Sequence, residues 1–127
     1  MNSYEEVPDI IRSFLTYHET IKGHSRKTVD EYYLDLRTFF RFMKYKRGLV
    51  PDDIPFNEIS INDIDLDFVK SISLTDVYDF LSYLSREREL RYNSPDSGIG
   101  LSASSRARKV ATIKSFYKYL TLKAGLL

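Results

Sequence analysis

Apolar residues recur three and four positions apart along most of the chain, a spacing that predicts helices. In residues 8–22, Ile11, Phe14, Leu15, His18 and Ile21 share a face, Pro8 suits a first helical turn, and Gly23 would stop the helix. A second helix over residues 26–47 carries the longest stripe: Val29, Tyr32, Tyr33, Leu36, Phe39, Phe40 and Met43. Thr28 and Glu31 have capping-box spacing at its start, and Gly48 follows its end. A third helix, residues 74–90, places Asp76 and Asp79 in its first turns and buries Val77, Phe80, Leu81 and Leu84. A last one, capped by Ser102 or Ser104, carries Ala107, Val110, Ile113, Phe116, Tyr117 and Leu120 and closes at Gly125.

The intervening stretches read differently. Residues 49–73 are acidic and broken by Pro51 and Pro55, which predicts a long connection with one short helix near residues 65–71, pinned to the core by its Ile and Phe side chains. Residues 93–100 are turn chemistry throughout. No segment alternates cleanly enough for a strand, so the fold class expected is all-α with four main helices.

Composition narrows the picture. With 127 residues, 43% of them hydrophobic and 14% aromatic, the chain can bury the core of one domain spanning residues 1–127. The absence of cysteine excludes disulfide frameworks, thiolate metal sites and thiol nucleophiles, and makes an intracellular home the expectation. No apolar run reaches the roughly 20 residues of a membrane span. Glu5, Glu6, Asp9 and Glu19 stand where a signal or transit peptide would be basic. A soluble, cytoplasmic protein without a membrane partner is expected.

The formal net charge of +1 conceals a strong alternation. Residues 1–21 are net −3, 22–49 net +5, 50–80 net −7, 81–100 neutral and 101–127 net +6. Two basic segments separated by an acidic one would let the fold gather Lys and Arg on one face, which suits a polyanion. The two basic helices also align without gaps when Thr28 is set against Ser105: Leu36 falls on Ile113, Arg37 on Lys114, Phe39 on Phe116 and Gly48 on Gly125. Chance similarity of amphipathic helices accounts for much of this. True equivalence would let both address one ligand.

Catalysis finds little footing. The only histidines are His18, on an apolar stripe where packing is the plainer role, and His24, in a solvated Gly-His-Ser turn. Asp63, Asp65 and Asp67 lack the Gly and Glu that a calcium loop needs, so a solvated linker explains them better. The tyrosines fall close to the helical stripes and read as packing residues. No cofactor or metal is expected.

Nucleic-acid chemistry fits better. Ser25, Arg26, Lys27 and Thr28 gather at one helix start, and Ser102, Ser104, Ser105, Arg106, Arg108 and Lys109 at another. Helix N-termini offer free N–H groups and a positive dipole, hydroxyls donate to phosphate oxygens, and Arg adds bidentate contacts to phosphate or guanine. The plainer alternative is that the hydroxyls are only caps and the cations only solvated faces, which for one cluster alone is the stronger reading.

At these same two segments the chain resembles the N-terminal core-binding domain of the tyrosine site-specific recombinases, the phage-integrase and Xer-like family. One motif of that family is carried by Phe14 and Leu15, Ser25 and Thr28, and then Tyr32, Asp35, Leu36 and Phe39. The other is carried by Leu101, Ser102, Arg108, Val110, Ile113, Ser115, Phe116, Tyr117, Tyr119 and Leu120, with Ser105 in place of the usual Thr. Tyr33 and Leu34 replace basic residues common in the family, and Arg106 replaces an apolar one.

The resemblance implies a four- to five-helix SAM-like bundle that clamps one face of duplex DNA, in a protein whose catalytic domain follows downstream. Strand cleavage and rejoining would belong to that second domain, so the chain by itself is expected not to be an enzyme. The parent protein would integrate or excise DNA as a tetramer of recombinase protomers across two sites. The contacts expected are Ser25, Arg26, Lys27, Thr28, Ser104, Ser105, Arg108 and Lys109, with Arg37 and Lys114 as weaker phosphate ligands. Two alternatives remain: a helical protein-interaction module whose basic helices meet an acidic partner, and a free-standing enzyme, which nuclease activity of the chain with magnesium would reveal.

Overall fold

A computed structural model of the chain describes residues 7–90 and 103–127. All its regular elements are helical: α1 (Asp9–Thr16), continued by a π-helical turn (Tyr17–Ile21), α2 (Arg26–Lys46), a 3-10 turn (Phe56–Glu58), α3 (Leu66–Lys70), α4 (Leu74–Leu90) and α5 (Ala103–Leu122). The turn-rich stretch of residues 93–100 and the predicted cap at Ser102 lie outside the described residues.

The long central helix α2 is the scaffold. Leu36, Phe39, Phe40 and Met43 are fully shielded, and the other elements pack around them. Phe116 of α5 sits edge-on to both Phe40 of α2 and Phe14 of α1. On another side of α2, Phe39 and Phe42 pack against Phe80 of α4, and Phe42 also meets Tyr83. Aromatic rings therefore supply much of the core, where edge-to-face pairs add to the burial of their large apolar area.

Local chemistry sets the helix ends. Ser25, with extended backbone, caps α2 and accepts the Thr28 N–H at 3.2 Å, so the cap is Ser25 rather than the Thr28 that the capping-box spacing suggested. Asp65 caps α3 through the Phe68 N–H at 2.9 Å. Ser73 and Asp76 form a reciprocal box at the start of α4: the Ser73 N–H donates to Asp76 at 2.9 Å and the Asp76 N–H donates to Ser73 at 3.2 Å. Gly48 follows α2 with φ of 67°, the left-handed conformation that ends a helix without Cβ strain.

Two details of the apolar pattern differ from expectation. After Thr16 the helix widens, with the Lys22 N–H reaching the Tyr17 carbonyl at 3.1 Å. The wider turn carries Ile21 off the stripe into solvent, where it is 70% exposed. On α5, Ala107 faces solvent, whereas Lys109 and Thr112 are buried.

The acidic connection is tightly anchored. Ile59, Ile61, Ile64 and Val69 are buried, as the Ile-rich pattern predicted. Its carbonyls also receive side chains from the helices. Arg41 Nε donates to Ile59 O at 2.8 Å, Lys44 Nζ to Ser60 O at 2.8 Å, and the Tyr117 hydroxyl to Val69 O at 2.6 Å. Burial pushes the Tyr117 phenol well above its ordinary range, so it remains a proton donor in that bond.

Candidate nucleic-acid interface

The contact between α2 and α5 is organised around one carboxylate. Asp35, fully buried in the middle of α2, accepts at Oδ1 from Arg108 and from Lys109, each at 2.8 Å. Its Oδ2 accepts from the Thr112 hydroxyl at 2.8 Å. Residues 108, 109 and 112 share a face of α5 because they lie one, three and four positions apart, so one helical face presents three donors to one acid. This brings the first half of α5 against the middle of α2.

Arg108 and Lys109, neighbours in sequence, have different fates. The Lys109 side chain is 7% exposed and its ammonium is spent on Asp35. Lys109 as placed is therefore a structural cation turned inward, contrary to the DNA-contact role expected of it, because a buried carboxylate demands a buried counter-charge. The Arg108 side chain is 48% exposed and gives Asp35 one arm of its guanidinium. The hydrogen bond to Asp35 raises the Arg108 pKa against the opposing effect of burial, and the charges of Asp35 and Glu31 add to the rise. A guanidinium has five donors in a rigid fork, so an Arg anchored at one edge can present others outward.

Lys27 and Glu31 lie one turn apart on α2, and Glu31 acts on Arg108, so this edge of α2 runs toward the start of α5. Lys27 is exposed. Arg26 is exposed as well, but it lies 3.5 Å from both Glu19 and Asp30. Ser25 and Thr28 are engaged with each other through the cap, their hydroxyls 3.1 Å apart.

On α5, Ser104 and Lys114 are exposed and Ser105 is half-buried. Arg37 departs from this face. Two residues beyond Asp35, it points about 200° away around α2, on the side opposite α5. Its guanidinium lies 5.5 Å from the centre of the Tyr33 ring, and its Nε is buried without a hydrogen-bond partner. Neighbouring Arg41 has a lowered pKa, caused first by burial and then by the Arg37 charge.

Sequence reasoning missed the roles of three charged residues. Asp35 appeared only as a motif position, although an acid interrupting the α2 stripe opposite a Lys-containing stripe on α5 was a usable signal. Lys44 is buried and bonds Asp63 at 2.8 Å, which gives one acid of the connection a structural task. Asp76 receives Lys46 at 2.6 Å as well as its cap bonds. Burial opposes its charge, yet the bonds from Lys46 and Ser73 outweigh it and bring its pKa down to about 2.

Among the described residues the fold is five α-helices with α2 and α5 joined through Asp35 and Arg108, and sequence comparison supplies the family. Residues 11–124 match the phage integrase N-terminal SAM-like domain, and the chain belongs to that family, the N-terminal domain of tyrosine recombinases. It is 45% identical over 120 residues to the "Tyrosine recombinase XerC" of Caldanaerobacter subterraneus subsp. tengcongensis. That alignment covers 94% of this chain and 31% of the relative, so the chain spans about a third of that protein's length. No solved structure matches the chain. Among the described residues, no helix is long and apolar enough to cross a membrane.

Proposed function

We propose that this chain is the part of a cytoplasmic tyrosine recombinase that grips duplex DNA at a recombination half-site, while strand cleavage and rejoining lie outside it. The observation that carries the reading is the division of labour at the start of α5: Lys109 neutralises buried Asp35, and Arg108, anchored on the same carboxylate, remains half exposed. A guanidinium held from behind loses less conformational freedom on binding a phosphate or a guanine edge. Lys27, Arg108 and Lys114, with the hydroxyls of Ser104 and Ser105, form the proposed contact set. Ser25 and Thr28 act there through the capped N-terminus of α2, which favours an anion.

Three cations neutralise few phosphates, so binding by this domain alone should be weak and salt-dependent. The similarity to a protein named as a tyrosine recombinase supports a parent that acts on DNA, and in our reading four such protomers would assemble on two sites.

The experiment is fluorescence anisotropy with short duplex DNA over a salt series, comparing the parent chain with Lys27→Ala plus Lys114→Ala. Both lysines are exposed, so folding should be unaffected. Binding that falls with salt and loses about two from the slope of log affinity against log salt in the variant supports the reading. Absence of binding at low salt, with a mass that rises with protein concentration, would favour the protein-interaction alternative.

A further inference from the structure

A cavity of about 360 Å³ opens between the π-helical turn and the C-terminal half of α5, away from the Asp35 contact. Tyr17, His18, Tyr119 and the lysines Lys22, Lys118 and Lys123 are among the residues that line it, and none of its lining residues is acidic. All three lysines are exposed. The nearby acid on the turn, Glu19, lies 3.5 Å from Arg26.

Three ammonium groups around one hollow repel one another unless an anion joins them. His18 is a second, independent sign. Its side chain is buried, its residue exposure is 7%, and its Nδ1 has no hydrogen-bond partner. Buried polar atoms in native proteins are nearly always satisfied, and an orphaned nitrogen on a residue that lines a basic cavity marks a group that a turn of the ring toward a bound ligand would satisfy.

We infer that this cavity is a binding site for a phosphate-type oxyanion, with Lys22, Lys118 and Lys123 as the charged ligands and His18 among its lining residues. Its size falls within the range of ligand-binding pockets, about 300 to 1,000 Å³, so the phosphate can be part of a larger molecule. Two sources share this chemistry: a backbone phosphate of DNA and a free phosphate or phosphate ester. The inference does not require the DNA reading above, since a free phosphate would satisfy the same groups.

The occupied site has a signature that a merely exposed lysine lacks. The titratable groups around His18 are Tyr17, Lys22 and His24 from the turn, Tyr32 from α2, and Lys118, Tyr119 and Lys123 across the cavity. Burial first, and then the charges of His24 and Lys22, disfavour a proton on the imidazole. A bound phosphate reverses that field and raises the His18 pKa.

The test is a titration of the chain with inorganic phosphate at constant ionic strength, read by NMR of the histidine ring and lysine terminal methylene signals, with chloride as control. Saturable shifts confined to His18, Lys22, Lys118 and Lys123 are expected, with a rise in the His18 pKa. Lys118→Ala plus Lys123→Ala should weaken the apparent affinity about tenfold, as loss of two exposed charge contacts allows. Shifts that do not saturate, that chloride reproduces, or that persist unchanged in the double variant would overturn the site. In the parent chain, displacement of bound phosphate by a short duplex would assign the source to DNA backbone, and joint occupancy to a free phosphate. Failure of the duplex to bind at all would count against the DNA reading and leave the phosphate titration to decide this one.

Discussion

The Lys109 ammonium and the Asp35 carboxylate meet at 2.8 Å between α5 and α2, both withdrawn from water. Removing one member of such a pair strands the other without a partner in a poor solvent for charge. Asp35→Ala should therefore cost about 3–5 kcal/mol, measured by urea denaturation. Replacing both, as Asp35→Leu with Lys109→Met, should recover most of that loss. Equal damage from the single and double variants would contradict the charge-pair account.

Arg108 can be separated from Lys109 by the same logic. Arg108→Ala leaves Lys109 and Thr112 on Asp35, so its stability cost should be the smaller of the two single cation deletions, while its effect on DNA affinity should be the larger. Denaturation and anisotropy on the two single variants give both numbers, and an inverted order in DNA binding would place the contact elsewhere.

Ser25 holds the start of α2 through its Oγ. Ser25→Ala should lose about 1 kcal/mol of stability. Ser25→Asp keeps the cap but adds a negative charge at the proposed phosphate position, so it should retain stability and lose DNA affinity. If both properties move together in the two variants, capping alone explains this residue.

The imidazole of His18 has a lowered pKa, caused first by burial and then by the charges of His24 and Lys22. The unfolded chain thus binds a proton more readily than the folded one. Stability should be full above the ordinary value of 6.5 and decline as pH falls below it toward the lower folded value. Thermal unfolding at pH 7.5 and at pH 5.5 in chloride buffer should give the lower midpoint at pH 5.5. His18→Phe should flatten this difference.

Asp76 provides a second, more acidic window. Its folded pKa of about 2 lies below the ordinary carboxylate value of 3.8, so its contribution is complete above pH 4 and is lost as pH falls toward 2. Asp76→Asn should remove this part of the acid sensitivity while destabilising the start of α4 at neutral pH.

Much of this was legible from the one-dimensional pattern because helical periodicity is local. The stripe of α2 from Val29 to Met43, the short helix at Leu66–Lys70 and the start of α4 at Leu74 all follow from spacing, caps and proline positions within a turn or two. The motif positions of Asp35 and Arg108 were legible too, and with them the family. Their contact across 73 residues of sequence was not, because periodicity carries no information about which helix faces which.

The sequence alone determined the helices, their apolar faces and the two basic segments, since each depends on neighbours within about four residues. Only the tertiary structure decided which cations remain available. Lys109, Lys44 and Arg37 look in sequence like Lys27 and Lys114. The first two are consumed by Asp35 and by Ser60 with Asp63, and Arg37 turns to the far side of α2. Burial converts a surface charge into a structural one, and burial is a property of the packed helices together.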